Sequence, residues 1–280
     1  MSDQVKIIPP IPRETARLAR ATFGRTNFYI LTGEYLETIF AGLEPKALSK
    51  IGMVLPLVTF FQFLEGLTDA QAYDAVRARL EWKFALHLPV YPLLFHENAL
   101  CEFRQKLLAD PVCQFEFEGL VDRLSVFNPP GYQPDRSPKI FEQVLAVCTL
   151  NRLGMKYTAF SEALAALAWQ HPLWLREIAL PHWYGRYNQA FSSSHRSSLT
   201  HLDLSFQQIG ADLHYLLEKV QQSSPEGLRE LPEIQRLERL LVQRTDQCHA
   251  SHLTNEIAQL PPCDLCLYRE RIAVSINLPQ

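Results

Sequence analysis

Glycine is scarce in this chain, with 11 residues in 280, and its glycines do not form the clusters that phosphate-binding loops require. Gly24, Gly33 and Gly185 are isolated, so the sequence predicts neither a glycine-rich phosphate loop nor a dinucleotide fingerprint. Long apolar runs are also missing. The most apolar stretch, residues 51–64, is interrupted by Pro56 and falls short of the roughly 20 residues that span a bilayer. It predicts a buried helix and no membrane anchor.

The chain has no overall excess of positive charge. Its formal net charge is −3 and its pI is near 6.3, which argues against a protein that coats nucleic acid by total charge. Any contact with a polyanion must therefore come from local clusters. One cluster lies at the amino terminus, where five basic residues stand against two acids, an excess of three: Lys6, Arg13, Arg17, Arg20 and Arg25 against Asp3 and Glu14. This segment indicates either contact with backbone phosphates or a solvated helix face, and both interpretations stay open.

The six cysteines are scattered, and residues 1–12 carry early acid or amide residues and no signal-peptide cleavage pattern. We therefore expect a cytoplasmic location. Soft metal ligands nevertheless gather near the carboxyl terminus: Cys248, His252, Cys263 and Cys266. The last two form a C-x-x-C knuckle, and the four together would suit a tetrahedral zinc site that folds the tail. The alternative is that this spacing arose by chance.

Apolar residues recur at helical spacing along most of the chain, which predicts a mainly α fold. Thr68 and Gln71 have the form of a capping box, and the helix that they open is expected to run through Arg79 or beyond. Asn98 is expected to cap the next helix, residues 99–108, which Asp110-Pro111 would close. Further helices are predicted at residues 115–124, 140–153, 159–169, 202–220 and 231–243, with one short candidate strand at residues 272–276.

Turn-forming residues divide the chain. Residues 128–138 contain four prolines and a glycine without helical periodicity, so this segment is the best candidate for a linker. The predicted organisation is a helical amino-terminal domain at residues 1–127, the linker at 128–138, a second helical region at 139–247 and a divergent tail at 248–280.

Basic and aromatic side chains collect after the Thr68 cap and on the helix that follows. The residues that could contact DNA are Arg77, Arg79, Trp82, Lys83, Arg104 and Lys106. Spacing places Arg77, Arg79 and Lys83 on the more exposed arc, as phosphate contacts from a rigid helix require. Two capped helices joined by a loop with His87 would suit a helix-turn-helix variant with a long loop. Alternatively, the helix dipole favours these basic residues, and Trp82 is a core residue whose indole nitrogen meets a carbonyl.

Three segments, QFLEGLTD, AVRARLEWKFAL and LCEFR (between residues 62 and 104), resemble in order the amino-terminal domain of insertion-sequence transposases of the InsH-like type. The likeness continues through VLAVCTLNRLG (144–154) and HPLWLREIALPHWYGRYNQ (171–189), and it spans roughly residues 11–262. It implies double-stranded DNA at element ends as the partner, and assembly with itself or an intact transposase. Its aromatic and arginine signature is expected to serve packing and ion pairing: Trp174, Arg176, Trp183, Tyr184, Arg186 and Tyr187.

The resemblance also implies a ribonuclease-H-like core, in which two aspartates and a glutamate hold two divalent metals roughly 4 Å apart. The first aspartate of the family precedes the LNRL-type motif. Here it is either replaced near Lys139 or lost in a small gap, and Asp135 and Glu142 are the nearest acids. The other two acids belong to a continuation that family members carry beyond this likeness. We therefore expect a truncated DNA-binding protein with at most a remnant of that core and no catalytic residues assigned. The alternative is an active transposase of the Asp-Asp-Glu type, using Mg²⁺ and completed by a partner chain.

Overall fold

The described part of the protein is built from α-helices. A computed structural model describes residues 8–41, 52–91, 95, 99–130, 132, 140–188, 191 and 199–242. Within these ranges there is one 3-10 helix and no β-strand, so the prediction of a mainly α fold is confirmed there. The same ranges contain no helix of sufficient length and hydropathy to cross a membrane.

Contacts divide the chain into two compact units, Met1–Val147 and Cys148–Gln280. The helices of the first unit are α1 (Arg13–Thr22), α2 (Phe28–Glu34), α3 (Leu36–Phe40), α4 (Val54–Glu65), α5 (Asp69–Ala78), α6 (Leu80–Ala85), α7 (Ala99–Ala109) and α8 (Pro111–Ser125). The boundary falls within α9 (Ile140–Gln170). The second unit continues with α10 (Pro172–Ile178), α11 (Pro181–Tyr187), α12 (Leu199–Ser223), the 3-10 helix (Leu228–Glu230) and α13 (Pro232–Val242). The predicted linker is described only at residues 128–130 and 132, so its boundaries stay predictions.

In the first unit, α1, α2 and α6 pack together around almost fully buried side chains. Ala19, Ile30 and Phe84 form one apolar cluster, one residue from each helix. Burial of an Ile or Phe side chain stabilises the fold by about 1.5–3 kcal/mol. Gly33 allows α2 to approach α6 closely, because an added Cβ would lie 2.6 Å from both Cδ1 and the carbonyl oxygen of Phe84.

The apolar stretch after residue 51 forms the buried helix α4, as predicted. Its side chains from Pro56 to Gln62 are buried, and the helix ends at Gly66, whose φ of 64° is the left-handed conformation common at helix ends. Phe61 on α4 lies edge-on to Tyr29 and Trp82, with ring centroids 4.9 and 5.1 Å apart. This aromatic cluster joins α2, α4 and α6.

The capping box is confirmed, but the helix that it opens is shorter than predicted. The Thr68 hydroxyl accepts a hydrogen bond from the Gln71 amide at 3.3 Å, and the Thr68 amide donates to Gln71 Oε1 at 2.9 Å. The backbone then leaves the helix at Arg79, with φ −89° and ψ 120°, and α6 begins at Leu80. Ion pairs of the Arg79 side chain with residues on α4 and α6 stabilise this break, as described below.

Two other helix boundaries differ from the predictions. Helix α8 begins at Pro111 rather than residue 115, because the Asp110 carboxylate accepts a hydrogen bond from the Val112 amide at 2.9 Å and caps it. The separate helices predicted at 140–153 and 159–169 are one helix, α9. That prediction of a break was wrong because buried positions continue across it at Leu153 and Ala159. Helices α7, α12 and α13 match the predictions to within three residues. Asn98 and residues 272–276 lie outside the described residues.

Candidate nucleic-acid interface

Arg79, a predicted DNA contact, lies in a polar cluster that joins α2, α4 and α6. Its Nη1 donates to the Glu65 carboxylate, and its Nε donates to Glu81 Oε1 at 2.7 Å. The Glu65 carboxylate also accepts hydrogen bonds from the Tyr29 hydroxyl and, at 3.2 Å, from Trp82 Nε1. The guanidinium carbon of Arg79 lies 5.1 Å from the Trp82 ring centroid and 5.6 Å from that of Tyr29. Arg79 is therefore fixed between two acids and two aromatic rings.

The electrostatics of this cluster follow from partial burial. Burial alone would lower the pKa of Arg79, but hydrogen bonds and charges from Glu65 and Glu81 outweigh it and raise that pKa. Burial, reinforced by the charge of Glu65, raises the pKa of Tyr29. Trp82 is fully buried, as the core interpretation predicted, although its indole partner is a carboxylate and not a carbonyl.

Arg104 forms a buried, two-pronged ion pair with Asp69. Its Nη2 lies 2.6 Å from Asp69 Oδ2 and its Nη1 lies 2.9 Å from Oδ1, and the side chains are only 1% and 4% exposed. Gln62 Nε2 also donates to Asp69 Oδ1 at 2.7 Å. Because Asp69 lies on α5, Arg104 on α7 and Gln62 on α4, the three side chains together connect three helices. These contacts account for Arg104 as a structural residue.

Lys83 is not on an exposed arc, so that sequence expectation was wrong. Its side chain is 6% exposed, and its Nζ donates to the Val90 carbonyl at 2.7 Å. Burial lowers the pKa of the Lys83 ammonium. The short helix α6 is buried around most of its circumference, which leaves no solvent-facing arc at this position. Among the predicted DNA contacts, Arg77 and Lys106 lie exposed at the surface.

A cluster of exposed basic side chains in the described part of the first unit lies on α1. We define the arginine face as the side chains of Arg13, Arg17 and Arg20, all exposed. Their spacing of four and three residues places them within an arc of about 60° on the helix. Thr15 and Ala19, on the opposite side, are fully buried. Thus α1 presents one side to the core and three guanidinium groups to solvent.

Helix α1 is fixed to the core by side chains on its buried side. The Thr15 hydroxyl donates to the Leu88 carbonyl at 2.9 Å, and Ala19 packs in the cluster with α2 and α6. Arg20 pairs with Glu34 on α2 at 3.5 Å, with both side chains partly exposed. A pair of this kind is worth only about 0–1 kcal/mol and can be exchanged for another anion. Arg25, which follows the helix, is also exposed.

Comparison with known proteins gives no relative for this chain. No family model, curated protein or solved structure matches it. The four predicted zinc ligands, Cys248, His252, Cys263 and Cys266, lie outside the described residues, as does Asp135. Glu142 is half-buried on α9. Within the ranges that the structure describes, no group of three or more His, Cys, Asp or Glu side chains could hold a metal ion.

In the second unit, the predicted packing role of the WYxRY signature is confirmed for three of its residues. Trp183 and Tyr187 are buried and pack on Phe160, with ring centroids 5.1 and 4.6 Å away. Arg186 pairs with Asp212 on α12, and the Tyr187 hydroxyl donates to the same carboxylate at 2.6 Å. Arg176 and Tyr184 are exposed, and Trp174 is half-buried.

Asp212 is the polar centre of this packing. His182 Nε2 lies 3.2 Å from its Oδ1, opposite the side that Arg186 and Tyr187 contact. Burial would raise the pKa of Asp212, but the hydrogen bonds from Tyr187 and His182 and the charge of Arg186 outweigh it, so the pKa lies below its ordinary value. The carboxylate therefore stabilises the contact of α11 with α12 as an anion.

Proposed function

We propose that this chain binds double-stranded DNA through the arginine face of α1, as a transposase-like protein that occupies insertion-element ends. One observation carries the proposal: three exposed guanidinium groups share one side of a helix whose other side is fixed to the core. Binding to DNA phosphates is electrostatic, and a rigid scaffold sets its register. Guanidinium groups suit this contact because their planar donors match phosphate oxygens in pairs.

The arginine face has dimensions that suit a run of phosphates. Arg13 and Arg20 are seven residues apart, which is about 10 Å along the helix axis. Arg25 extends the basic surface past the carboxyl end of α1 and gives four arginines in total. Glu14 is the exposed acid on the same helix, beside the face and not within it. The predicted contacts by Arg77 and Lys106 stay predictions that the same experiments can test.

Strand transfer by this chain alone is not part of the proposal. The sequence supports this view because the aspartate that the resemblance implies is either replaced near Lys139, where a lysine would repel a metal ion, or lost in a small gap. An enzyme completed by a partner chain would instead use acids such as Asp135 or Glu142 with Mg²⁺.

The binding experiment uses the full chain and a fluorescent duplex carrying the inverted repeats that flank its gene. The double variant Arg13→Gln/Arg17→Gln should bind about tenfold or more weakly than the wild type at 0.1 M salt, because two phosphate contacts are lost. The control variant Arg176→Gln/Arg239→Gln removes the same charge from exposed positions in the second unit. Equal weakening by both variants, or none by the first, would exclude the arginine face.

A second experiment separates binding from cutting. The full chain is incubated with the same duplex and Mg²⁺ or Mn²⁺, and nicked strands are resolved on a denaturing gel. We expect binding without nicking. Metal-dependent nicking that Glu142→Gln or Asp135→Asn abolishes would instead support the enzyme.

A further inference from the structure

His87 is a buried histidine whose two ring nitrogens both face backbone carbonyl oxygens. Its Nδ1 lies 2.6 Å from the Pro9 carbonyl and its Nε2 lies 2.8 Å from the Gly33 carbonyl. A carbonyl oxygen can only accept a hydrogen bond, so each ring nitrogen must carry a hydrogen to satisfy both contacts. A neutral imidazole has one N–H, whereas an imidazolium has two.

The backbone supports this arrangement. His87 has a φ of 53°, a left-handed conformation that is uncommon for a residue other than glycine, and its side chain is 7% exposed. Pro9 lies four residues before α1, and Gly33 lies on α2. The next residue, Leu88, accepts the hydrogen bond from Thr15 on α1. The loop after α6 therefore contacts the segment before α1 at Pro9, α1 itself at Thr15 and α2 at Gly33.

We propose that His87 is an imidazolium that donates hydrogen bonds to both the Pro9 and Gly33 carbonyls. These two hydrogen bonds, which we call the clasp, depend on the proton and fix the start of α1 and with it the arginine face. When the imidazolium releases a proton to solvent, one ring nitrogen keeps a lone pair. That lone pair then faces a carbonyl oxygen 2.6 or 2.8 Å away with no hydrogen between them. One of the two contacts must open, and an open contact to Pro9 releases the segment that leads into α1.

The other charged groups on the elements packed near the loop ordinarily keep their charge in the pH range in which histidines change theirs. The charged and titratable groups on the described elements that pack there are Arg13, Glu14, Arg17 and Arg20 on α1, Tyr29 and Glu34 on α2, Glu81 and Lys83 on α6, and Tyr91 in the loop. Carboxylates, guanidinium groups and phenols ordinarily do not change charge between about pH 5 and 8, whereas imidazoles do. Lys83, whose pKa burial lowers, donates to the Val90 carbonyl and not to the clasp.

The clasp has a consequence for DNA that rests on the proposed function. Release of the segment before α1 frees the first turn, which carries Arg13, while Thr15 and Ala19 still hold the rest of the helix on the core. Fixing that first turn on binding costs conformational free energy. DNA affinity should therefore be higher at pH 6, with the clasp closed, than at pH 8. The clasp itself is a property of the free protein.

The direct test is the protonation state of His87 in the full wild-type chain. Nitrogen-15 NMR of the imidazole groups at about pH 6 should show two protonated ring nitrogens for His87, each with a slowly exchanging hydrogen. A single neutral tautomer at that pH would overturn the proposal. Because this measurement uses the wild type, it does not depend on whether a variant folds.

A second test follows the opening of α1 by amide hydrogen exchange, corrected for intrinsic rates. In the wild type and in His214→Gln, an exposed control, the opening equilibrium of α1 amides should rise about tenfold from pH 6 to pH 8, as expected for losing one hydrogen bond to a charged group. In His87→Gln it should not vary with pH. The same pH dependence in His87→Gln would contradict the clasp. If His87 is protonated and the chain binds no DNA, only the proposed function is contradicted. If His87 is neutral and the chain binds DNA, only the clasp is contradicted.

Discussion

Gly33 is the residue whose lack of a Cβ allows the close approach of α2 to α6. A methyl group added there would lie 2.6 Å from a backbone oxygen of Phe84, which cannot rotate away as a side chain can. We expect Gly33→Ala to lower the free energy of unfolding by about 1–3 kcal/mol, measured by urea denaturation. The control is Gly210→Ala on α12, where no atom lies within 4 Å of the added Cβ. That variant should be unchanged or more stable by about 0.5–1 kcal/mol. Equal effects at both glycines would show that α2 and α6 are not in close contact.

Asp212 gives the second unit a pH dependence whose sign can be worked out. Its pKa is lower in the folded than in the unfolded chain, so the ionised form favours the fold. The stabilisation is therefore present at pH values above 3.8, the ordinary pKa of the carboxyl group. It is lost as the pH falls through the lower pKa of Asp212 in the folded chain. Asp212→Asn should cost about 2 kcal/mol at pH 7, and the difference from wild type should shrink below that ordinary value. Urea unfolding at several pH values checks this, and a difference that is constant with pH would contradict it. The control, Asp122→Asn, changes an exposed carboxylate.

Helices α4, α5 and α7 are connected by the buried pair of Asp69 and Arg104 together with Gln62. Removing the arginine leaves the carboxylate buried without its main counter-charge, which typically costs about 3–5 kcal/mol. We expect Arg104→Met to lower the free energy of unfolding by that amount. Lys106→Met, on the same helix but exposed, should stay within about 0.5 kcal/mol of wild type. A small loss at Arg104 with a large loss of DNA affinity would mean that this residue serves DNA rather than the fold.

The helix ends that the sequence predicts best are those with local causes. The capping box at Thr68 depends on a residue three positions away, and the predicted stop at Asp110-Pro111 directly follows Ala109, the last residue of α7. The helix break at Arg79 could not be predicted from neighbouring residues, because Glu65, which pairs with the Arg79 side chain, lies 14 residues earlier. The ion pair of Arg104 could not be predicted for the same reason, because its partner Asp69 is 35 residues away.

The exposure and contacts of the candidate interface residues also depend on parts of the chain that are distant in sequence. Helical spacing assigned Lys83 to a solvent-facing arc, but a six-residue helix packed on several sides has no such arc. The amino-terminal basic cluster was visible in the sequence, although composition alone left a phosphate contact and a solvated face equally open. The sequence also placed His87 in a loop, but its two carbonyl partners are 78 and 54 residues away. Only the fold shows that the imidazole has two acceptors.

For the complete chain, the charge distribution decides what kind of DNA binding to expect. The net charge of −3 repels a polyanion on average, so attraction must come from local basic clusters, and we propose that the arginines on and after α1 form the relevant one. Binding by such a small cluster should be sensitive to salt, because each neutralised phosphate releases a counterion.

DNA binding through the arginine face is therefore tested by the salt dependence of duplex binding by the wild-type protein. With about four phosphates contacted, the logarithm of the association constant should fall with the logarithm of salt concentration at a slope near −3 to −4. Removing Arg13 and Arg17 should reduce the magnitude of the slope by about 2. A flat salt response, or a slope that these two substitutions leave unchanged, would contradict DNA binding through the arginine face.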